Sequence, residues 1–469
     1  MDGMAGRSGR AGGPGTRRGP WCSRSWAIVP ALLVAGLGMG EGLQAQASPG
    51  IPLSEVLERL EAVNPELRRA DALSGAAGER VDPAGALPDP MFTAGLMNLP
   101  AWSLDLGMEG MSMAVLEVGQ RFPARGVREA RVQAAEARVQ ASTHRRDALA
   151  LELRVEAAEG YAELLYLDEA LDVLERTRTL LAELAEVARV RLGEGSGAQV
   201  DVVRTHTELA RIEEQVSGLR AARSRAEADL SALLDGSLPP GFQAARPEGW
   251  ARLLALPATA DDFTTAVPDH LPGLGLPPVS ELLDQAMARH PRIAAAQAAL
   301  AVDEAEARLS QRERRPDIEV MLGYGLRSGR DNMWSASVTL PLPVFRARKQ
   351  DPLARAAAGE AEAARSALRT EQAEVEARIR SAWSDLVRAR ERFHLVERLV
   401  LPQAHATVES AMSAFRAGSD LVSFLSVLES LMTLLASETE RARSARDLAL
   451  ASARLDAAAG TAFFLDSGS

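Results

Sequence analysis

Apolar residues return every three or four positions along two very long tracts of this chain. In the first, Leu153, Ala157, Gly160, Leu164, Leu167, Leu171 and Leu174 alternate steps of four and three. In the second, Val375, Ile379, Ala382, Leu386, Ala389, Phe393, Val396 and Val400 do the same. A 3.5-residue repeat is the seam of a coiled coil, and the small residues within it let helices approach closely. The pattern predicts long helices over 126–192 and 353–417, each followed by a second helix, over 199–235 and 421–459. At 1.5 Å per residue the first is about 100 Å long, longer than an ordinary globular core, so a rod or tube is expected.

Two shorter stretches change period. Trp334, Ala336, Val338, Leu340 and Leu342 alternate with Ser335, Ser337 and Thr339. Before them, Ile318, Val320, Leu322 and Tyr324 alternate with Asp317, Glu319, Met321 and Gly323. Phe92, Ala94, Leu96, Ala114, Leu116 and Val118 give a weaker version. Strand pairs are therefore predicted over 88–123 and 316–344. Their lengths approach the ~10 residues of a tilted transmembrane strand, with Trp334, Ala336, Val338 and Leu340 facing lipid and the polar face a lumen. A soluble antiparallel sheet with one face on a core is the other reading. Four strands cannot close a barrel, and open edges in hydrocarbon would leave backbone groups unpaired. A spanning sheet thus demands an oligomer that shares one barrel: two copies supply eight strands, three supply twelve.

The chain is written twice. Asn64-Pro65-Glu66-Leu67 is echoed by His290-Pro291-Arg292-Ile293, Gly160-Tyr161-Ala162 by Ala382-Trp383-Ser384, and Leu192 to Gly195 by Phe415 to Gly418, at nearly constant offsets. The first repeat is placed at 48–235 and the second at 280–460, with a tail at 461–469. Between the repeats, 236–279 is rich in proline and has no period, which marks a linker.

Composition adds a destination. Residues 1–47 read as a signal peptide: Arg7, Arg10, Arg17, Arg18 and Arg24 precede an apolar run from Trp26 to Met39, and Ala45-Gln46-Ala47 fits cleavage. The run is shorter than the ~20 residues of a membrane span. Cys22, the only cysteine, precedes the run, where a lipoprotein cysteine would follow it. The formal charge of −11 would fall to about −14 on removal of the leader's five basic and two acidic residues, and no basic block offers itself to nucleic acid.

Catalytic signals are missing from the sequence. The six histidines are scattered without zinc-ligand spacing, and no Gly-x-Ser-x-Gly, phosphate-binding loop or dinucleotide fingerprint is present, so neither an enzyme nor a cofactor is expected. Met91, Met97, Met108, Met111 and Met113 cluster around the first strand pair. Thioethers suit soft metal ions, but methionine also fills irregular apolar gaps, and the cluster is only a weak metal candidate.

The order of several short motifs in both halves resembles the TolC family of bacterial outer membrane efflux proteins. They include Asn64-Pro65-Glu66-Leu67, Asp89-Pro90-Met91, Gln120-Arg121-Phe122-Pro123, Gln199-Val200-Asp201-Val202, Pro316-Asp317, Leu342-Pro343, Leu401-Pro402-Gln403-Ala404 and Phe424-Leu425-Ser426-Val427-Leu428. The resemblance spans about Pro52 to Gly460, and the Met-bearing stretch resembles the heavy-metal efflux branch. It implies a mainly α fold with a small β part: a homotrimer sharing one transmembrane β-barrel, continued by a coiled-coil α-barrel through the periplasm. It also implies docking to a periplasmic adaptor and an inner-membrane pump, with Gly195, Gly197, Gly418 and Asp420 at the contacting helix-turn tips. A gate at the periplasmic end would fall on Asp201, Arg204, Ser426 and Glu429, although Ser426 stands where an Asp is common in the family. The implied function is a passive exit duct for small molecules or metal ions. A protein-secretion channel of the same fold and a periplasmic coiled-coil scaffold are the alternatives.

Overall fold

A computed structural model of the chain describes residues 50–99, 101–102, 104–239, 241–246, 254, 276–417 and 422–461. The predicted leader, most of the linker, and the tail past Thr461 lie outside the described residues. The rest is mainly helical with one small sheet, and its order repeats. The first half runs α1 (Leu53–Val63), α2 (Pro65–Gly78), the short α3 (Val81–Gly85), β1 (Met91–Met97), β2 (Met113–Phe122), α4 (Val127–Gly193) and α5 (Gln199–Leu233). The second runs α6 (Val279–Arg289), α7 (Pro291–Arg312), β3 (Ile318–Leu326), β4 (Met333–Thr339), α8 (Gln350–Leu395), α9 (Leu401–Arg416) and α10 (Phe424–Ala459).

The 67 residues of α4 extend for about 100 Å. Their seam is buried as its spacing predicts: Leu153, Ala157, Leu164, Leu167 and Leu174 are each at most 4% exposed. Alanine carries much of the remaining contact surface, with Ala158, Ala162 and Ala170 fully packed. Such helices bury little area per residue, so length supplies the core in place of side-chain bulk. One apolar cluster joins α1, α4 and α5, and a second joins α6, α8 and α10. A third gathers the far ends of α4, α5, α9 and α10 around Phe415, Phe424 and Val427.

In the second half the expected helix over 353–417 is interrupted. Val396–Val400 form a π-helical turn, and the Leu401 N–H bonds to the Val396 carbonyl five residues back. Pro402 follows at once. Proline has no N–H and its ring crowds the carbonyl four residues earlier, and the wider turn accommodates both. The extra residue shifts the seam. Val375, Ile379, Leu386, Phe393 and Val396 are buried, but Val400 is 47% exposed. The buried line resumes one residue late, through Leu401, Ala404, Val408, Ala411 and Phe415, each buried or half-buried.

The echoed Asn64-Pro65 and His290-Pro291 have the same structural task. Asn64 Oδ1 accepts the N–H groups of Glu66 and Leu67 at 2.9 and 3.1 Å and so caps α2. Its Nδ2 donates to the Leu233 carbonyl at the end of α5, 2.9 Å away. His290 Nδ1 accepts the Arg292 N–H at 3.1 Å, and its Nε2 lies 3.1 Å from the Ala457 carbonyl near the end of α10. In each half one buried side chain therefore ties the start of one helix to the end of the last. Gly460 closes the second clamp: its φ is +68°, and a Cβ there would meet His290 Cδ2 at 3.0 Å.

These bonds fix His290 as the neutral tautomer protonated on Nε2, and burial holds its pKa below the usual histidine value. A depressed pKa means that the unfolded chain takes the proton first as pH falls. The clamp's stabilisation is complete above pH ~6.5 and is lost as pH falls through the folded-state value. His290→Ala should lower the thermal transition by the equivalent of about 1–2 kcal/mol at pH 8. His290→Asn, which copies Asn64, should restore most of that loss and flatten the decline between pH 7 and 5. Equal melting of wild type and His290→Ala would remove the clamp from the account.

Candidate functional site

The strands form one antiparallel sheet in the order β1-β2-β3-β4. The two hairpins, some 200 residues apart in sequence, join through β2 and β3, where Leu116 pairs with Tyr324 and Val118 with Leu322. Because side chains alternate along a strand, these ladders sort the sheet into two faces. Even-numbered positions share one face: Phe92, Val118, Leu322 and Ala336 in one row, Ala94, Leu116, Tyr324 and Trp334 in the next. Odd-numbered positions share the other, with Thr93, Glu117, Gly323 and Ser335 forming a row there.

The faces differ in chemistry and in cover. On the even face Phe92 is 68%, Leu322 56%, Trp334 78% and Val338 70% exposed. On the odd face Met113 and Val115 are buried, as are Gly119, Gly323 and Gly325. A large apolar surface is thus left bare on the even face, whereas on the odd face cover is confined to the middle strands, and Met91, Met97 and Met333 on the outer strands are exposed. Leu340 lies one residue beyond β4 and is itself exposed, as are Leu342, Val344 and Phe345 in the segment that follows. Tyr324 and Trp334 pack at 4.7 Å between ring centroids with their planes tilted by 51°, and the Tyr324 hydroxyl accepts from the Asn332 amide at 2.7 Å. Among the described residues no strand pairs with the outer edge of β1 or of β4.

Asp317 ties the two hairpins together at the base of the sheet. Its carboxylate accepts the Ala124 N–H at 2.9 Å and pairs with Arg121 at 2.8 Å, holding the exit of β2 against the entry of β3. Just beyond, Gly126 takes φ +83° to start α4. The lone motif Pro316-Asp317 gave no sign of this role, because both partners lie almost 200 residues upstream.

The opposite end of the described body gathers the helix tips. Ser196 and Gly197 donate backbone N–H groups to the Arg191 carbonyl at 2.9 and 3.0 Å. Gly195 takes φ +73°, and a Cβ on Gly197 would stand 2.9 Å from the Leu192 nitrogen, so the turn is built for glycine. The matching tip residues Gly418 and Asp420 lie outside the described residues. Asp201 sits in the first turn of α5, where the helix dipole favours an acid, and Arg204 is exposed one turn on. Ser426 is exposed near the start of α10 and hydrogen-bonds the capping Ser423, whose Oγ accepts the Ser426 N–H at 3.1 Å. The cap itself is the Ser423 hydroxyl, and the Ser426 hydroxyl adds a 2.9 Å contact to it. Glu429 is exposed on the next turn, beside a groove lined by Leu399, Val400, Gln403 and Thr407. Among the described residues none of Asp201, Arg204 and Glu429 forms an ion pair. The third apolar cluster brings α5 and α10 to one end of the body, so Asp201 and Ser426 share a region although 225 positions separate them.

Of the five clustered methionines, Met91, Met97 and Met113 stand on the odd face. Met108 and Met111 lie in the β1–β2 connection and are more than half exposed.

Where α4 crosses α10, charges interlock. Arg441 bridges Glu169 and Glu397, and Glu169 also holds Arg246 at 2.7 Å. Arg446 binds Glu163 at 3.1 Å and lies over the Tyr166 ring. Sequence reasoning missed this network, since each acid reads alone as one more solvated position on a helix face. Among the described residues, no cluster of histidine, cysteine, aspartate and glutamate could hold a metal, and no helix is long and apolar enough to cross a membrane.

A family model described as "Outer membrane efflux protein" matches residues 56–236 and again 282–461. Comparison with curated protein sequences finds no match. Among solved structures, the outer-membrane channel OprN aligns over 88% of this chain and 90% of its own, with a TM-score of 0.69 and 21% identity. The MtrE outer membrane channel of Neisseria gonorrhoeae, in its open state, aligns over 89% and 91%, with TM-score 0.70 and 17% identity. The CmeC outer membrane channel of Campylobacter jejuni aligns over 93% and 95%, with TM-score 0.69 and 13% identity. At these identities the likeness is one of fold.

Proposed function

The chain belongs to the outer membrane efflux protein family, and from that premise we propose that it is the outer-membrane exit duct of a tripartite efflux pump. The observation that carries the reading is the sheet: two outer edges unpaired among the described residues, a bare apolar face, and an opposite face that carries the sheet's hydroxyls and Glu117. In water such a face would aggregate, and in hydrocarbon such edges would leave backbone groups unpaired at several kcal/mol each. Both problems vanish when β1 of one copy pairs with β4 of the next and the sheet closes. Three copies supply twelve strands, the even face meets lipid, and the odd face lines the lumen. The long helices then continue the lumen into the periplasm. Their tips at Gly195 and Gly197, with the matching turn that holds Gly418 and Asp420, meet a periplasmic adaptor and through it an inner-membrane pump. The duct moves nothing itself, and cargo flows down the gradient the pump creates.

The native mass of protein extracted in detergent from a purified outer-membrane fraction tests the shared barrel. A trimer is expected. A monomer recovered from the soluble periplasm would leave a coiled-coil scaffold as the reading.

Gating belongs to the same proposal. Threefold symmetry would repeat Asp201, Arg204, Ser426 and Glu429 as rings at the narrow end, where like charges are close and selectivity is electrostatic and steric. Asp201→Asn combined with Glu429→Gln should raise the resting conductance of the purified channel in planar bilayers several-fold. Unchanged conductance would return both acids to helix capping and solvation.

A further inference from the structure

All five methionines of the strands stand on one face. Met91, Met97, Met113, Met321 and Met333 occupy odd positions, beside Thr93, Glu117, Ser335 and Ser337, and the apolar even face carries none. Methionines recruited only as apolar surface would belong with Phe92, Leu322 and Val338. These line the polar side.

They fall into two tiers around glycines. At the outer tier Met97 is the cross-strand partner of Met113. Direct partners place their Cβ atoms about 5 Å apart, within bridging reach of two thioethers. One row inward Met333 pairs with Gly325, and Met113 Sδ lies over that glycine: a Cβ there would be 2.6 Å from the sulfur. Gly325 therefore opens the socket that the Met113 sulfur fills, with Met97 on one side and Met333 on the other. At the inner tier Gly119 is flanked in register by Met91 and Met321, and Met321 Sδ lies 3.7 Å from where its Cβ would be. Same-face rows are about 7 Å apart along a strand. The row between Met333 and Met321 carries Glu117, with Thr93 and Ser335. From outside inward the face reads thioethers around Val115 and Gly325, the Glu117 carboxylate, thioethers around Gly119, and then Glu319 across from Arg121.

We propose that this face is a thioether ladder that binds soft monovalent cations of the silver(I) or copper(I) class as they pass along the barrel wall. Its placement in a lumen rests on the exit-duct reading above. Thioethers prefer soft ions and reject hard ones such as magnesium or calcium. Being neutral, they hold a cation more weakly than thiolates do, and Glu117 supplies charge midway. Weak sites in series suit conduction, which needs binding strong enough to admit an ion and weak enough to release it. Unbranched methionine also has the freedom to hand an ion between rows.

The test uses the full chain with Cys22→Ser throughout, extracted as the native assembly in chloride-free detergent buffer. It is titrated with silver nitrate by calorimetry and examined by X-ray absorption at the silver edge. Saturable binding with sulfur neighbours is expected. The variant with Met91, Met97, Met113, Met321 and Met333 all changed to leucine keeps near-native side-chain volume. It should lose about tenfold or more in apparent affinity while retaining its mass and potassium conductance. Binding unchanged in that variant, or only nitrogen and oxygen neighbours, overturns the ladder. A conducting trimer that binds no silver also overturns the ladder and leaves the duct intact. A chain that does not conduct but binds silver through these methionines overturns the duct and keeps the ladder, since one chain carries both tiers.

Discussion

Leu322→Arg should abolish recovery of the assembled protein from the outer membrane, whereas Thr93→Arg should leave it assembled. Leu322 lies at the middle of β3 between Val118 and Ala336 on the even face and is 56% exposed. If that face meets lipid, an arginine there costs about 2–4 kcal/mol near the bilayer midplane, and a trimer incurs the cost three times. The sum is comparable to the whole stability of an ordinary domain. Thr93 lies on the same sheet one face away, directly across from Glu117, so an arginine there gains a carboxylate partner and faces water. The pair of variants separates the faces from the strands: both change one strand residue to the same cation. Equal recovery of the two proteins would show that the even face does not meet lipid. Equal loss would show that the sheet tolerates no charge on either side, which contradicts a water-filled lumen.

The even face was legible because alternation is local. Trp334, Ala336 and Val338 can be read off five consecutive residues, and so can Ile318, Val320 and Leu322. The pairing of β2 with β3 was not, since it joins Leu116 to Tyr324 across more than 200 residues and no local pattern encodes a partner that distant. The methionines show the consequence. Grouped by proximity in sequence, Met91, Met97, Met108, Met111 and Met113 make one cluster. The ladders separate Met108 and Met111 from it and bring in Met321 and Met333 from the second half. The parity of residue numbers within the strands carried that signal once the register was known.

The repeat was legible as spelling but not as chemistry. Asn64-Pro65 and His290-Pro291 mark the starts of equivalent helices, and the prolines fit the first helical turn. That the preceding side chain also reaches the last carbonyls of the half depends on how α5 and α10 return, which lies in tertiary packing. Asn and His share the required feature, an acceptor and a donor on opposite sides of a short planar group. Their exchange between halves preserves the clamp while making only the second one sensitive to acid.

Counting apolar steps also carried the coiled-coil seam one position too far, to Val400. Pro402 was the available warning. A proline inside a helical pattern either ends the helix or forces a bulge, and here the helix continues with one surplus residue in a π turn. That account makes a strong prediction about single-residue deletions. Removing Glu397 together with Pro402→Ala should yield a folded, assembled protein that has lost only the partly exposed ion pair to Arg441. The π turn would relax to α, and Leu401, Ala404, Val408, Ala411 and Phe415 would fall into unbroken 3.5-residue phase with Val396 and Phe393. Removing Glu397 alone should cost about 3 kcal/mol, because Pro402 is then forced into a regular helix interior. Removing Arg176 from α4, where no bulge absorbs the change, should be far worse. Every residue beyond it would rotate by about 100°. Buried Leu181, Leu184 and Ala188 would leave the third apolar cluster together, at a cost of several kcal/mol for the leucines alone. Thermal melting and the yield of assembled protein from the outer-membrane fraction read all three. If the Glu397 deletion with Pro402→Ala fails as completely as the Arg176 deletion, the π turn is needed for more than housing the proline. The exposed Leu399 and Val400 that it presents beside the Glu429 groove would then have to be counted among the contacts that assemble the duct.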